Sequence, residues 1–263
     1  MQGKNTSSLN NHSVYMTLPY DYSKLSEYYE VLEGGKIDET NLFLEKILKK
    51  YKTDNVLDFT CGTGAQTLYL AKHGYNVIGI DISPAMLKIA KQKAKEAKLK
   101  VRFYKGDMRS SEFGTFNAVI TIFNAIGHLS KPEFEKTIRN VGSNLKKDGL
   151  YIFDIFNLDF MKKNFRKYKF LDTATEVDGT KFVRFNNNKL DIKRGLMTIN
   201  QETTIQEGMN KPKVFRETWT MQIYTANELK NMLKRNGFEV LGQYDIDGSK
   251  KIGTFILTVA RKK

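Results

Sequence analysis

The spacing of apolar and polar residues changes several times along the chain, and these changes predict where its strands and helices lie. Short apolar runs at residues 56–59, 76–80, 101–104, 116–123 and 150–156 predict five buried strands. The stretches between them place apolar side chains at helical spacing. Strands separated by helices of this length form βαβ units, so we expect a parallel sheet.

The pattern is different after Asn157. Three β-prone runs are separated by turn-forming residues: 181–185, 196–205 and 215–224. They predict an antiparallel β insertion at residues 158–222. A helix then begins at Thr225, where Glu228 completes a capping box. Two last strands, at residues 238–244 and 253–260, resemble a hairpin at the edge of the main sheet.

The first forty residues stand apart from this alternation. Residues 1–13 are polar and predict a frayed tail, whereas residues 14–34 are rich in tyrosine. A short helix is expected around residues 24–32, and a longer one at residues 39–51, where apolar positions follow a helical face.

Composition limits the class of protein. A 263-residue chain that is 40% hydrophobic can build a substantial core. Its one cysteine, Cys61, excludes an internal disulfide, and no pair of its three histidines has metal-ligand spacing, so no metal site is expected. No apolar run is long enough to span a bilayer or serve as a signal peptide, and a cytoplasmic protein is expected.

The formal charge of +14 has two interpretations. It could attract a polyanion such as RNA. It could equally belong to solvated helix faces, since the lysines of residues 88–105 lie opposite the apolar positions of a predicted helix.

The segment between the first strand and the next helix contains the most informative motif. Asp58 ends the strand, and Gly62 and Gly64 follow in a short loop. These glycines let the backbone approach a ligand, and the next helix offers free N–H groups. A dinucleotide fingerprint would place a third glycine where this chain has Thr67, and no P-loop lysine is present.

Polar residues follow the next strands in the same way. Asp81 ends the second strand and could accept both hydroxyls of a ribose. Asp107 and Met108 follow the third strand, where an adenine could be bound between Met108 and Ile82. The fourth strand ends at residues 121–124, so all four segments lie at the carboxyl edge of the predicted sheet, where such sheets bind ligands.

Together these motifs resemble the class I S-adenosylmethionine (SAM)-dependent methyltransferases, most closely over residues 54–156. The resemblance implies a Rossmann-like α/β fold, a doubly wound seven-stranded sheet whose last strand is antiparallel. It implies SAM as cofactor and S-adenosylhomocysteine as product. The residues that it implies for SAM are Asp58, Thr60, Gly62, Gly64, Asp81, Ile82, Met86, Asp107, Met108 and Phe123. Thr60 stands where the family's motif has its first glycine.

Within that family the chain looks most like small-molecule N-methyltransferases of the glycine and sarcosine type. Residues 124–129 are similar to their Asn-x-x-x-His-Leu stretch, which makes Asn124 and His128 candidate catalytic residues, together with Tyr28 of the tyrosine-rich segment. The resemblance implies three parts: a tail and lid at residues 1–40, a SAM-binding domain at 41–157 and 223–263, and a substrate-binding insertion at 158–222.

The acceptor is therefore expected to be a small molecule, most simply an amine. An amine with a carboxylate would need a cationic partner, and four arginines in or near the insertion are candidates: Arg166, Arg184, Arg194 and Arg216. Two alternatives remain open, a tRNA or rRNA methyltransferase and a SAM-binding partner subunit without catalysis. An NAD oxidoreductase is disfavoured by Thr67 and by the pair Asp107 and Met108. The pattern says nothing about oligomeric state.

Overall fold

A seven-stranded sheet forms the centre of the computed structural model, which describes residues 21–33 and 36–263. Its strands lie in the order β11-β12-β5-β4-β1-β2-β3. Their bounds are β1 Asn55–Asp58, β2 Asn76–Asp81, β3 Arg102–Lys105, β4 Phe116–Thr121, β5 Leu145–Phe156, β11 Phe238–Tyr244 and β12 Phe255–Lys262. Only β12 among them runs antiparallel to both neighbours. The predicted fold, with its antiparallel last strand, is confirmed.

Helices cover both faces of this sheet. They are α2 Lys36–Lys50, α3 Ala65–Lys72, α4 Pro84–Glu96, α5 Lys131–Ser143 and α7 Ala226–Arg235. Alternate residues of a strand enter different clusters: Leu57 packs with α5 and α7, whereas Val56 packs with α2 and α3. Both side chains are fully buried. The capping box predicted at Thr225 and Glu228 is present at the start of α7, and Ser130 with Glu133 forms a second one at α5.

A second, antiparallel sheet occupies the predicted insertion. Its strands are β6 Phe170–Val177, β7 Thr180–Asn186, β8 Lys189–Asp191, β9 Leu196–Glu207 and β10 Lys213–Gln222. The order is β10-β9-β7-β6, and β8 pairs with β9. β6 lacks a one-sided apolar pattern because most of its residues are exposed, and its place in the sheet depends on pairing with β7.

Two local predictions are corrected. β5 begins at Leu145 instead of residue 150, because Leu145 pairs with Phe116 while Gly149 lies within the strand. A short helix, α6 (Leu158–Asn164), follows at once, and Asn157 caps it by accepting from the Asp159 N–H at 3.0 Å. At seven residues, α6 is too short to show a clear helical period.

The segment before α2 packs across the second sheet. It contains a 3-10 turn, Ser26–Tyr28, and α1, Tyr29–Glu33, close to the helix expected around residues 24–32. Leu25 and Leu32 are buried against Phe182 and Ile205 of that sheet. The predicted tail and the rest of the tyrosine-rich stretch, residues 1–20 and 34–35, lie outside the described residues. Of the helices in the described part, none is long and apolar enough to cross a membrane.

Candidate functional site

The loop after β1 has the geometry expected of a ligand-binding turn. Gly62 and Gly64 have φ of +53° and +90°, values that glycine adopts without strain. A Cβ at Gly64 would lie 3.2 Å from that of Ala90, so the loop and α4 also pack closely here. Gly64 caps α3, whose first N–H groups therefore face the loop.

Asp58 lies under this loop as a fully buried carboxyl group. The Thr67 hydroxyl donates to its Oδ2 at 2.7 Å, and the Thr60 N–H donates to its Oδ1 at 3.3 Å. Burial raises the pKa of Asp58 to about 7. Thr67 stands where a dinucleotide fingerprint would have glycine. Its hydrogen bond orients the carboxyl group of Asp58, the residue predicted to bind the methionine end of SAM.

Asp81 connects the first two loops at the carboxyl edge of the sheet. Its Oδ2 accepts the Gly62 N–H and its Oδ1 the Ser83 N–H, both at 2.8 Å. Burial raises the pKa of Asp81. The neighbouring Ile82 leaves 57% of its surface exposed, whereas Met86 is buried in α4. An exposed apolar side chain beside a carboxylate suits a nucleoside, with the ribose at Asp81 and a base over Ile82.

Asp107 has a partner that the sequence did not reveal. Nη2 of Arg109 lies 2.7 Å from Oδ2 of Asp107, and Nη1 of the same guanidinium is 2.5 Å from Glu133. The hydrogen bond from Arg109 holds the pKa of Asp107 below its ordinary value. Met108 packs against the core beside it. An adenine amine would therefore share the Asp107 carboxylate with Arg109, and the adenine role of Asp107 and Met108 stays a prediction.

The end of β4 turns sharply through two left-handed residues. Phe123 and Asn124 have φ of +62° and +57°, which is uncommon outside glycine. The buried Asp154 of β5 holds this turn, because its Oδ2 accepts the Asn124 N–H at 3.2 Å. Burial raises the pKa of Asp154 to about 7. Within the described residues, the Oδ1 atom of Asn124 is buried and lacks a hydrogen-bond partner.

A cavity of about 630 Å³ begins at this turn and extends toward the second sheet. Its walls come from the segment at residues 21–33, the end of β4, α6 and the strands of the second sheet. Many of the lining side chains are aromatic, among them Tyr22, Tyr29, Phe123, Phe156, Phe160, Phe165, Phe170, Trp219 and Phe255. A cavity of this size suits a small molecule.

Polar contacts at three places attach the segment at residues 21–33, which we call the N-terminal strap, to the rest of the site. The Tyr22 hydroxyl lies 2.7 Å from Nε2 of His128. Glu30 accepts a hydrogen bond from Thr63 of the glycine loop and pairs with Lys93 of α4 at 2.5 Å.

At the third place the strap is joined to the second sheet. Arg184 of β7 donates to Glu33 at 3.0 Å, to the Leu32 carbonyl at 3.0 Å and to Asp172 at 2.6 Å. The strap therefore touches both the glycine loop and the wall of the cavity.

The structure brings two of the three candidate catalytic residues together. Asn124 and His128 both line the cavity. Burial lowers the pKa of His128 to about 4, so its ring is neutral at pH 7. Tyr28 is not placed as expected: its ring packs on Phe182, 5.4 Å between centroids, outside the cavity lining. Tyr22 lines the cavity instead, because the turn of the strap directs Tyr28 toward the second sheet.

Of the four candidate arginines, two line the cavity and two do not. Arg194 pairs with Asp191 and Arg216 with Glu202, and neither lines the cavity. Arg184 and Arg166 do line it. Arg184 is engaged by Glu33 and Asp172, while the guanidinium of Arg166 lies 5.0 Å from the centre of the Phe170 ring.

Residues 56–149 match the family model described as a methyltransferase domain. The chain is also 30% identical over 168 residues to a protein of Geobacillus sp. (strain WCH70) whose name describes it as a methyltransferase. That alignment covers 62% of this chain and 66% of the relative. The chain belongs to the class I SAM-dependent methyltransferases. The glycine loop, Asp81 and Ile82 fit the cofactor of this family.

Two further relatives of this methyltransferase are named for N-methylation. One is the dTDP-3-amino-3,6-dideoxy-alpha-D-glucopyranose N,N-dimethyltransferase of Streptomyces fradiae, 27% identical over 64% of this chain and 66% of its own length. The other is the glycine N-methyltransferase of Oryctolagus cuniculus, 23% identical over 74% of this chain and 65% of its own length. The chain thus spans about two thirds of each, and the resemblance to small-molecule N-methyltransferases is confirmed.

A solved structure agrees with the fold of this methyltransferase. The SAM-bound amino pentose methyltransferase CalS10 of Micromonospora echinaspora superimposes with a TM-score of 0.74 at 20% identity. The match covers 93% of this chain and 99% of that one, so it extends through the second sheet as well as the SAM-binding part.

Proposed function

We propose that the protein transfers the methyl group of SAM to an amine nitrogen of a small molecule bound in the 630 Å³ cavity. The observation that carries this proposal is the position of the cavity. It begins at Phe123 and Asn124, at the same sheet edge as the glycine loop and Asp81. An acceptor in the cavity would therefore meet a cofactor bound on that loop.

The residues of the cavity suit an amine acceptor. SAM supplies a methyl group that its sulfonium already activates, so the protein needs mainly to orient the nucleophile. Asn124 Oδ1 would accept an N–H of the amine and direct its lone pair, because this buried oxygen has no partner among the described residues. His128 is neutral and held by Tyr22, so it adds no positive charge that would repel the ammonium form of the acceptor, which releases its proton to water before its lone pair attacks the methyl group.

The relatives support an amine on a small molecule. The Streptomyces fradiae relative is named for an amino sugar and the Oryctolagus cuniculus relative for glycine. Both names describe transfer to nitrogen. The predicted division into strap, SAM-binding domain and substrate-binding insertion is part of this proposal, with the insertion forming one wall of the cavity.

The test is the formation of S-adenosylhomocysteine from SAM with a panel of amines and, in parallel, with bulk tRNA. We expect turnover with at least one small amine. Methyl incorporation into tRNA alone would establish the RNA alternative, and SAM binding without turnover on either would favour a partner subunit.

Variants at Asn124 test its role in the same assay. Asn124→Gly removes the amide and keeps the left-handed backbone accessible, whereas Asn124→Asp retains an acceptor oxygen at the same place. We expect Asn124→Gly to lower kcat and Asn124→Asp to retain more of it. A kcat of Asn124→Gly equal to that of the wild type would remove Asn124 from the mechanism.

A further inference from the structure

Three neutral amide side chains converge on the wall of the cavity that the second sheet supplies. They are Asn186 and Asn188, at the end of β7 and just after it, and Gln201 of β9. We call them the amide cluster. Asn186 and Gln201 are direct partners in the strand pairing, and Gln201 Nε2 donates to Asn186 Oδ1 at 3.2 Å. Both side chains are more than nine-tenths buried.

The backbone around the cluster explains why two asparagines face the cavity and the one between them does not. Asn187 is exposed, and its main chain is held on β9 by two bonds to Asn200, at 2.8 Å and 2.7 Å. Successive side chains of an extended segment point to opposite sides. Asn186 and Asn188 therefore share the cavity side, and Asn187 provides a neighbour of identical chemistry outside it.

One atom of the cluster points to a ligand. Asn188 Oδ1 is buried and has no hydrogen-bond partner among the described residues. A buried acceptor without a donor is costly, and such groups in a binding cavity are commonly satisfied by the ligand. Asn124 Oδ1, shortly after β4, is likewise buried without a hydrogen-bond partner among the described residues, and Asn124 lines the same cavity. The cavity thus offers two separate oxygens that need donors.

The chemistry of the cluster indicates which groups it would bind. An amide both donates and accepts, as a hydroxyl group does, so neighbouring amides match neighbouring hydroxyls. The cluster carries no net charge and would give a carboxylate or phosphate no ion pair. The aromatic lining, including Trp219, offers apolar surface to a carbon ring.

We propose that the amide cluster binds hydroxyl groups of the methyl acceptor, and that the acceptor is an amine with several hydroxyls, such as an amino sugar or another amino polyol. This inference rests on the proposed N-methyltransferase function, with the amine at Asn124 and the hydroxyls at Asn186, Asn188 and Gln201. It makes Asn188 a residue that determines specificity.

Matched pairs of amines test the proposal. Serinol is isopropylamine with two added hydroxyls. Glucosamine and cyclohexylamine give a second comparison on a six-membered ring, although the ring of glucosamine also contains an oxygen. S-adenosylhomocysteine formation gives KM and kcat for each. Trp219, the only tryptophan of the chain, lines the cavity, so its fluorescence reports binding of the same amines without turnover. We expect the hydroxylated member of each pair to have a KM and a Kd lower by about tenfold.

Variants then assign the effect to the cluster. Asn188→Leu should remove most of the preference by raising KM for glucosamine while KM for cyclohexylamine stays within about twofold. Asn187→Leu, an identical change on the exposed side, should keep the wild-type preference. Thermal unfolding of both variants shows whether each is folded.

The outcomes separate this inference from the proposed function. Turnover of plain and hydroxylated amines with equal KM would overturn the inference and leave the N-methyltransferase function intact. A fluorescence response to glucosamine, lost in Asn188→Leu, without turnover of any amine would support the polyol site and overturn the function. Equal effects of Asn188→Leu on both members of a pair would also overturn the inference.

Discussion

The hydroxyl of Tyr22 lies 2.7 Å from Nε2 of His128, which joins the N-terminal strap to the turn after β4. The two rings also meet edge to face, 5.6 Å between centroids. His128 is buried and neutral, and this contact helps to fix the orientation of its ring. The strap thus completes the cavity at the end where Asn124 lies.

Removing that hydroxyl should weaken acceptor binding. Tyr22→Phe keeps the ring packing and deletes the hydrogen bond to His128, worth about 1 kcal/mol. We expect a rise of roughly fivefold in the KM of the acceptor. Steady-state kinetics with the best amine of the panel measure it. Tyr28→Phe is the control, because Tyr28 packs outside the cavity, and a larger effect there than at Tyr22 would restore the catalytic role first predicted for Tyr28.

SAM affinity should fall as the pH drops below about 7. The pKa of Asp58 is raised to about 7 by burial, with Asp81 adding to the shift, so its carboxyl is neutral at lower pH. A neutral carboxyl cannot pair with the ammonium of the cofactor's methionine end. Calorimetric titration one pH unit below and one above that value measures the difference. Asp58→Asn should bind weakly at both values, and a wild-type affinity independent of pH would place the ammonium elsewhere.

Asp154 should make the folded state less stable as the pH rises toward 7. Its pKa is raised from 3.8 to about 7 in the folded protein, which therefore keeps a proton that the unfolded chain releases. The free energy of unfolding falls with rising pH across that interval, and Asp58 contributes in the same direction. Urea unfolding of Asp154→Asn should show a flatter dependence between those two values. A steeper one would mean that Asp154 is ionised in the folded state.

Arg184 should contribute to stability far more than an exposed arginine of the same sheet. Its side chain is 11% exposed and holds Glu33, Asp172 and the Leu32 carbonyl together. Arg184→Met removes the guanidinium from these groups and should cost about 2 kcal/mol in the free energy of unfolding.

Arg216→Met is the matched control for this change. Arg216 pairs with Glu202 while 73% exposed, so its loss should cost less than about 1 kcal/mol. Urea unfolding compares the two, and limited proteolysis within the strap should be faster in Arg184→Met. Similar costs for both variants would show that the strap is held by its apolar contacts alone.

The sequence predicted the parts of the site that depend on local order. Asp58, Gly62 and Gly64 occupy one strand–loop–helix unit, whose residue types are set by backbone conformation and helix capping. Asp81 followed because parallel strands end at the same edge of a sheet. These residues were found without knowledge of any tertiary contact.

The rest of the site depends on contacts between distant segments. Arg109 engages Asp107 and also Glu133, which is 24 positions away. Arg184 meets Glu33 across 151 positions, and no periodicity links the two. The choice of Tyr22 over Tyr28 is set by the turn of the strap, and a tyrosine-rich stretch looks the same whichever ring faces the cavity.

The N-terminal strap has a thermodynamic consequence because it contacts both the glycine loop and the wall of the cavity. Glu30 holds it to the glycine loop, and Glu33 holds it to the wall of the cavity. If cofactor binding favours the attached strap, acceptor affinity must rise by the same factor as the acceptor raises cofactor affinity. The methyl donor and the acceptor would then bind cooperatively, whichever of the two enters first.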